Sequence, residues 1–162
     1  MEKLKASVEG LAGLLTERHW KMMTVESCTG GWIAQSLTSL AGSSDWFEGG
    51  LITYSNKAKA QFADVPSALI ANHGAVSREV ALAMAAGGRS RTGAHVAVAV
   101  TGIAGPGGGS EQKPVGTVYI AWNVAGREPV VERFHFHGDR EAIRWQSVCT
   151  AIEELLGLLK GL

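Results

Sequence analysis

A chain of 162 residues, 46% hydrophobic but only 7% aromatic, is long enough for one domain with an aliphatic, alanine-rich core. Fifteen basic residues balance fifteen acidic ones, which argues against a general nucleic-acid or membrane-surface binder working through bulk charge. Cys28 and Cys149 make neither a disulfide framework nor a zinc-ligand spacing, and no run approaches the roughly 18 apolar residues of a membrane span, so a cytoplasmic setting is expected.

Leu4, Val8, Leu11, Leu14 and Leu15 predict an amphipathic helix over about 3–18. Met22 to Val25 reads as a short buried strand and 30–41 as a helix stopped by Gly42. Gly50 to Tyr54 reads as a second strand. Ser55 or Asn56 can cap a helix running through Lys57, Lys59 and Phe62, Pro66 opens a short helical piece, and Ser77 caps the next helix. His95 to Gly102 is an apolar run of the kind covered on both faces of a sheet.

Ile103 to Pro114 reads as a glycine-rich loop. Val115 to Trp122 and Val130 to His137 make a hairpin turning near Gly126, and a last helix starts at Gly138-Asp139. This order predicts an α/β fold, a single-domain three-layer α/β/α sandwich with a mixed sheet spanning 1–162.

The chemistry concentrates at Val25-Glu26-Ser27-Cys28-Thr29-Gly30-Gly31, where a strand turns into a helix through glycines. Such a turn presents backbone N–H groups and small nucleophiles at a positive helix end. Ser27 needs a base within hydrogen-bond reach. None of His19, His73, His95, His135 and His137 sits beside an obvious orienting acid. Lys59, in the first turn of the helix after Tyr54-Ser55-Asn56, is the other option, because a helix start and partial burial both lower a lysine pKa.

Tyr54 could relay or donate a hydrogen bond to that pair. Cys28 competes as nucleophile, and the same residues also read as a helix cap, a buried thiol and solvated lysines. The loop Thr101-Gly102-Ile103-Ala104-Gly105-Pro106 can approach a phosphate or an oxyanion, with Lys113 adding charge nearby, yet it is neither a Walker loop nor a dinucleotide fingerprint. His135 and His137 alternate on a strand without a third ligand, so no metal site is expected.

Together these segments resemble the CinA C-terminal domain family. The resemblance rests on Glu26-Ser27-Cys28-Thr29-Gly30-Gly31, Gly42-Ser43-Ser44 with Trp46-Phe47, and Tyr54-Ser55-Asn56 with Ala58-Lys59. It continues through His73-Gly74-Ala75-Val76-Ser77, Thr101 to Pro106, Lys113 to Val118 and Gly138-Asp139-Arg140. Stand-alone members of that family are nicotinamide-nucleotide amidohydrolases. The resemblance therefore implies hydrolysis of the carboxamide of nicotinamide mononucleotide, in pyridine-nucleotide salvage, with Ser27, Lys59 and Tyr54 as catalytic residues.

Thr29, Gly30, Gly31, Thr101, Gly102, Gly105 and Arg140 are the expected substrate-binding residues, dividing the oxyanion and the 5′-phosphate between the two glycine segments. No metal or organic cofactor is expected. Larger family members carry an N-terminal pyrophosphatase-type domain, which this chain starts too late to include. The expected partners are a small nucleotide substrate and further copies in a homo-oligomer, with no nucleic acid and no membrane.

Two departures stand out. Gly107 lies where the family often has aspartate, and Lys57 where it is frequently acidic, adding charge near Lys59. The competing readings are a non-catalytic pyridine-nucleotide-binding module and an amidase for another small carboxamide.

Overall fold

The computed structural model describes residues 1–162. Helix α1 (Glu2–Glu17) precedes strand β1 (Met22–Glu26), helix α2 (Trp32–Thr38), a 3-10 turn (Ser43–Asp45) and strand β2 (Phe47–Ile52). Helices α3 (Asn56–Ala63), α4 (Ser67–His73) and α5 (Arg78–Thr92) lead to β3 (Val96–Gly102), β4 (Thr117–Val124), β5 (Val130–His135) and α6 (Arg140–Lys160). No helix is long and apolar enough to cross a membrane.

The sheet order is β2-β1-β3-β4-β5, with β1 parallel to both neighbours and β4 antiparallel to β3 and β5. The mixed sheet and its two helical layers are those expected from the order of the apolar segments. Alternation along each strand divides its side chains between the layers. Val96, Val98 and Val100 join the core under α1, α2 and α6, while Ala97 and Ala99 face α5 with Met23 and Val25.

Caps explain half of the six α-helix starts. The Ser55, Ser77 and Asp139 side chains each accept a backbone N–H of the following helix, which satisfies a donor that has no intrahelical partner. Strand β2 differs from expectation, starting at Phe47 rather than Gly50. Its register on β1 pairs Met22 with Phe47 and Glu26 with Ile52, so the length of the partner strand decides its start. His137 lies beyond the end of β5, unlike His135; the two rings sit 4.7 Å apart.

The small residues on the α5 face let that helix come close. A Cβ on Gly87 would collide with the carbonyl oxygen of Ala63 at the end of α3, a backbone atom that cannot swing aside. Gly87→Ala is therefore expected to cost about 1–3 kcal/mol in urea unfolding and to displace α3. An unchanged unfolding midpoint would contradict this packing.

The carboxyl ends of the parallel strands β1, β2 and β3 lie side by side. The segments that leave them begin at Ser27, Thr53 and Ile103, so three stretches far apart in sequence contribute Ser27, Tyr54 and Ala104 to one crevice. Open α/β sheets usually place their ligand sites at this edge.

Candidate active site

Ser27 follows the last residue of β1, and its N–H donates to the Val100 carbonyl of β3 (3.0 Å). The chain then reverses in a tight turn, closed by Gly30 N–H on the Ser27 carbonyl (3.0 Å) and Trp32 N–H on that of Thr29 (3.0 Å). Gly30 and Gly31 adopt φ of 59° and 101°, a left-handed region that a side chain disfavours. The result is a buried serine on a short strand-to-helix elbow, with 7% of its surface exposed.

Lys59 reaches Ser27 from α3. Its Nζ lies 2.9 Å from Ser27 Oγ, 2.9 Å from the Thr53 carbonyl and 3.0 Å from the Tyr54 carbonyl. Lys59 is 1% exposed and forms no ion pair with a carboxylate. Burial pushes its ammonium below the ordinary value of 10.5, against a weaker opposing pull from Cys28. Lys57, exposed on α3, takes no part in this shift.

A neutral amine in this place donates its two hydrogens to the two carbonyls and turns its lone pair toward the Ser27 hydroxyl. That is the geometry of a general base beside a nucleophile. The Cys28 thiol is different. Burial raises it to about 12, so near neutrality it stays a protonated, weakly nucleophilic group.

The Glu26 carboxylate holds the elbow from within, although only 1% of the residue is exposed. It accepts from Thr24 Oγ1 (3.1 Å), Thr29 Oγ1 (2.8 Å) and the N–H groups of Gly31 (3.2 Å), Ile33 (2.9 Å) and Ala34 (3.0 Å). The N-cap residue Gly31 has no side chain to cap α2, and Glu26 supplies the cap while opposing the positive helix end.

This arrangement revises the expectation for Thr29, Gly30 and Gly31. The Gly30 and Gly31 N–H groups are already bonded to Ser27 and Glu26, and the Thr29 hydroxyl to Glu26. Of the turn's donors, the Cys28 and Thr29 N–H groups donate to no other residue. They are the first amides of a helix-like turn, which intrahelical bonding always leaves over.

A cavity of about 200 Å³ opens over Ser27 and Lys59, walled by Cys28, Thr101, Gly102 and Ala104 among others. Thr101 Oγ1 donates to the Ala75 carbonyl (2.8 Å), closing one wall. At Gly102 a Cβ would press on Val118 Cγ2, 2.7 Å away, and Cys28 Sγ, 3.2 Å away. Arg140 stands at the mouth, donating to the Gly105 carbonyl (2.7 Å) and the Tyr54 hydroxyl (3.1 Å).

Gly105 thus anchors Arg140 rather than lining the cavity. The Tyr54 phenol belongs to the mouth, with the residue 59% exposed; its backbone carbonyl, not its hydroxyl, touches Lys59. Lys113 lies outside the cavity, its Nζ donating to the carbonyls of His73 (3.1 Å) and Val76 (2.6 Å).

Sequence reasoning missed two residues at the elbow. Glu26 was visible as a carboxylate just ahead of a helix start that lacks a Ser, Thr, Asp or Asn cap. Arg144 donates to the Cys28 and Thr29 carbonyls at 3.0 and 3.1 Å. Its only sequence signal was its position four residues after Arg140, on the same helix face.

Comparison with known proteins gives the relatives of this chain. The family model described as the CinA C-terminal domain matches residues 4–159. The chain is 48% identical over 147 residues to the nicotinamide-nucleotide amidohydrolase PncC of Escherichia coli (strain K12), covering 91% of this chain and 89% of that one. It is 51% identical over 138 residues to the protein of the same name from Pseudomonas putida, covering 85% and 86%. The crystal structure of competence/damage inducible protein CihA from Agrobacterium tumefaciens superposes with a TM-score of 0.93 at 41% identity, covering 96% and 95%.

Proposed function

The chain belongs to the CinA C-terminal domain family, and we propose that it hydrolyses the carboxamide of nicotinamide mononucleotide to nicotinate mononucleotide and ammonia. The observation that carries this reading is Lys59 Nζ, buried and 2.9 Å from Ser27 Oγ, in a chain 48% identical to a nicotinamide-nucleotide amidohydrolase.

In this proposal neutral Lys59 takes the Ser27 proton as Oγ attacks the carboxamide carbon. The resulting oxyanion is held by the free N–H groups of Cys28 and Thr29, in the place where the residue after a nucleophile usually supplies one donor. Protonated Lys59 then gives its proton to the departing nitrogen, the C–N bond breaks, and ammonia leaves a nicotinoyl ester on Ser27. Water attacks the ester with Lys59 again as base. The acid is released and the Ser27 hydroxyl restored.

The cavity of about 200 Å³ is smaller than the roughly 300–1,000 Å³ of sites that enclose a whole small molecule. It suits a carboxamide-bearing ring, with the ribose and phosphate lying outward. Arg140 spends two N–H groups on Gly105 and Tyr54 and, with five donors in all, keeps others for a 5′-phosphate at the mouth.

The test is ammonia release from nicotinamide mononucleotide across pH. Lys59 must be neutral to accept the proton, and burial lowers its pKa, so kcat should rise with pH and level off below 10.5, the ordinary lysine value. A rise that continues to that value would contradict a depressed Lys59. Binding of the nucleotide without turnover would replace the enzyme with a binding module, and turnover only of carboxamides lacking phosphate would change the substrate.

A further inference from the structure

We propose that Arg144 is a positioning residue for the nucleophile elbow, one that aims the free Thr29 N–H; this rests on the reading of Ser27 as nucleophile. Its guanidinium bridges two consecutive carbonyls of the turn, with Nε to Cys28 at 3.0 Å and Nη2 to Thr29 at 3.1 Å. It also lies over the Trp32 ring, 5.2 Å from the centroid, and pairs with no carboxylate. The guanidinium meets the two carbonyls with separate nitrogens held in one rigid plane, which fixes their relative direction.

The consequence follows from the peptide plane. C=O and N–H of one trans peptide point in opposite directions. Holding the Cys28 carbonyl toward α6 sends the Thr29 N–H away from α6. Holding the Thr29 carbonyl there likewise sends the Gly30 N–H back, to the Ser27 carbonyl that it meets at 3.0 Å.

The Cys28–Thr29 peptide is the central one of the turn, whose rotation separates one turn type from another. Two glycines with positive φ follow it directly, so the local backbone alone fixes it weakly. Glu26 secures the amides from Gly31 onward, and Arg144 secures the two peptides before them. A charged donor on a carbonyl also polarises the whole amide, which makes its N–H a stronger donor to a developing oxyanion.

Arg144 touches neither the Ser27 hydroxyl nor the Lys59 amine. Removing it should therefore slow chemistry while leaving substrate affinity and the Lys59 titration in place. The experiment compares wild type, Arg144→Met and Arg144→Lys in two assays: ammonia release from nicotinamide mononucleotide, and acylation of Ser27 by 4-nitrophenyl acetate followed by mass spectrometry. Thermal melting checks that each variant is folded.

Arg144→Met is expected to lose on the order of 100-fold in both rates, the scale of a misplaced reacting group. KM and the acid limb of the pH profile stay unchanged. Arg144→Lys, a point donor, recovers part of the loss, and added guanidinium raises the rate of Arg144→Met but not of wild type.

Wild-type rates in a folded Arg144→Met overturn the proposal. So does a raised KM at unchanged kcat, which would make Arg144 a substrate contact, or a moved acid limb, which would make it an electrostatic partner of Lys59. Acylation of wild type at Ser27 with no ammonia release would refute the substrate reading alone, and the ester assay then decides the role of Arg144. Acylation of another residue in place of Ser27 overturns the proposal itself.

Discussion

Ser27→Ala, Lys59→Met and the double variant should all lose kcat by the same factor, on the order of 10⁵. The reason is geometric. Lys59 Nζ has Ser27 Oγ as its only side-chain partner, so nucleophile and base act as one unit and removing either removes both. Independent contributions would instead multiply in the double variant.

Cys28→Ala belongs in the same series. Its thiol, raised to about 12 by burial, is protonated near neutrality, and any oxyanion donor at this position is the main-chain N–H, which alanine keeps. Activity of wild-type order is expected. Loss of turnover in Cys28→Ala together with full activity in Ser27→Ala would transfer the nucleophilic role to the sulfur.

Glu26→Gln is expected to lower stability by about 3 kcal/mol, by the scale of hydrogen bonds lost from a buried charged acceptor. Both carboxylate oxygens accept, one from Thr29 Oγ1, Gly31 N–H and Ile33 N–H and the other from Thr24 Oγ1 and Ala34 N–H. An amide has only one such oxygen. Its NH₂ group would face at least one N–H donor, and the favourable interaction with the start of α2 would disappear.

Urea unfolding measures the loss, which corresponds to a fall of roughly 6–12 °C in melting temperature for a chain of this size. Turnover should fall as well, since the same carboxylate sets the turn that presents Ser27. Stability within about 0.5 kcal/mol of wild type, the usual range for a surface substitution, would show that the elbow does not depend on Glu26.

Much of this molecule was open to a reading of its residues. Ser77 ahead of Arg78 to Met84 announced a capped helix, and the run from Val96 to Gly102 announced a strand buried on both faces, because caps and apolar periods are local. The segment holding Ser27 and the helix holding Lys59 were legible for the same reason. Their resemblance to a known family joined the two before any distance was available.

The parts that were not legible depend on contacts across the sheet. The start of β2 follows its register on β1. The role of the Thr29-Gly30-Gly31 turn changed once Glu26 was seen to occupy the Gly31 N–H, since spacing shows which donors exist but not which are already bonded. Tyr54 contributes its carbonyl to Lys59 and its phenol to Arg140, a division that one letter in a sequence does not express.

The residue order by itself determined the layered α/β architecture, the glycine elbow after β1 and the chemical types of the proposed nucleophile and base. Only the tertiary structure decided that a lysine 32 positions along the chain reaches the serine, that burial lowers that lysine, and that Glu26 and Arg144 divide the amides and carbonyls of the turn. Local patterns choose helices, turns and side-chain chemistry. The distances, the desolvation and the saturation of hydrogen bonds that make a reactive centre arise when separate strands end at the same edge of one sheet.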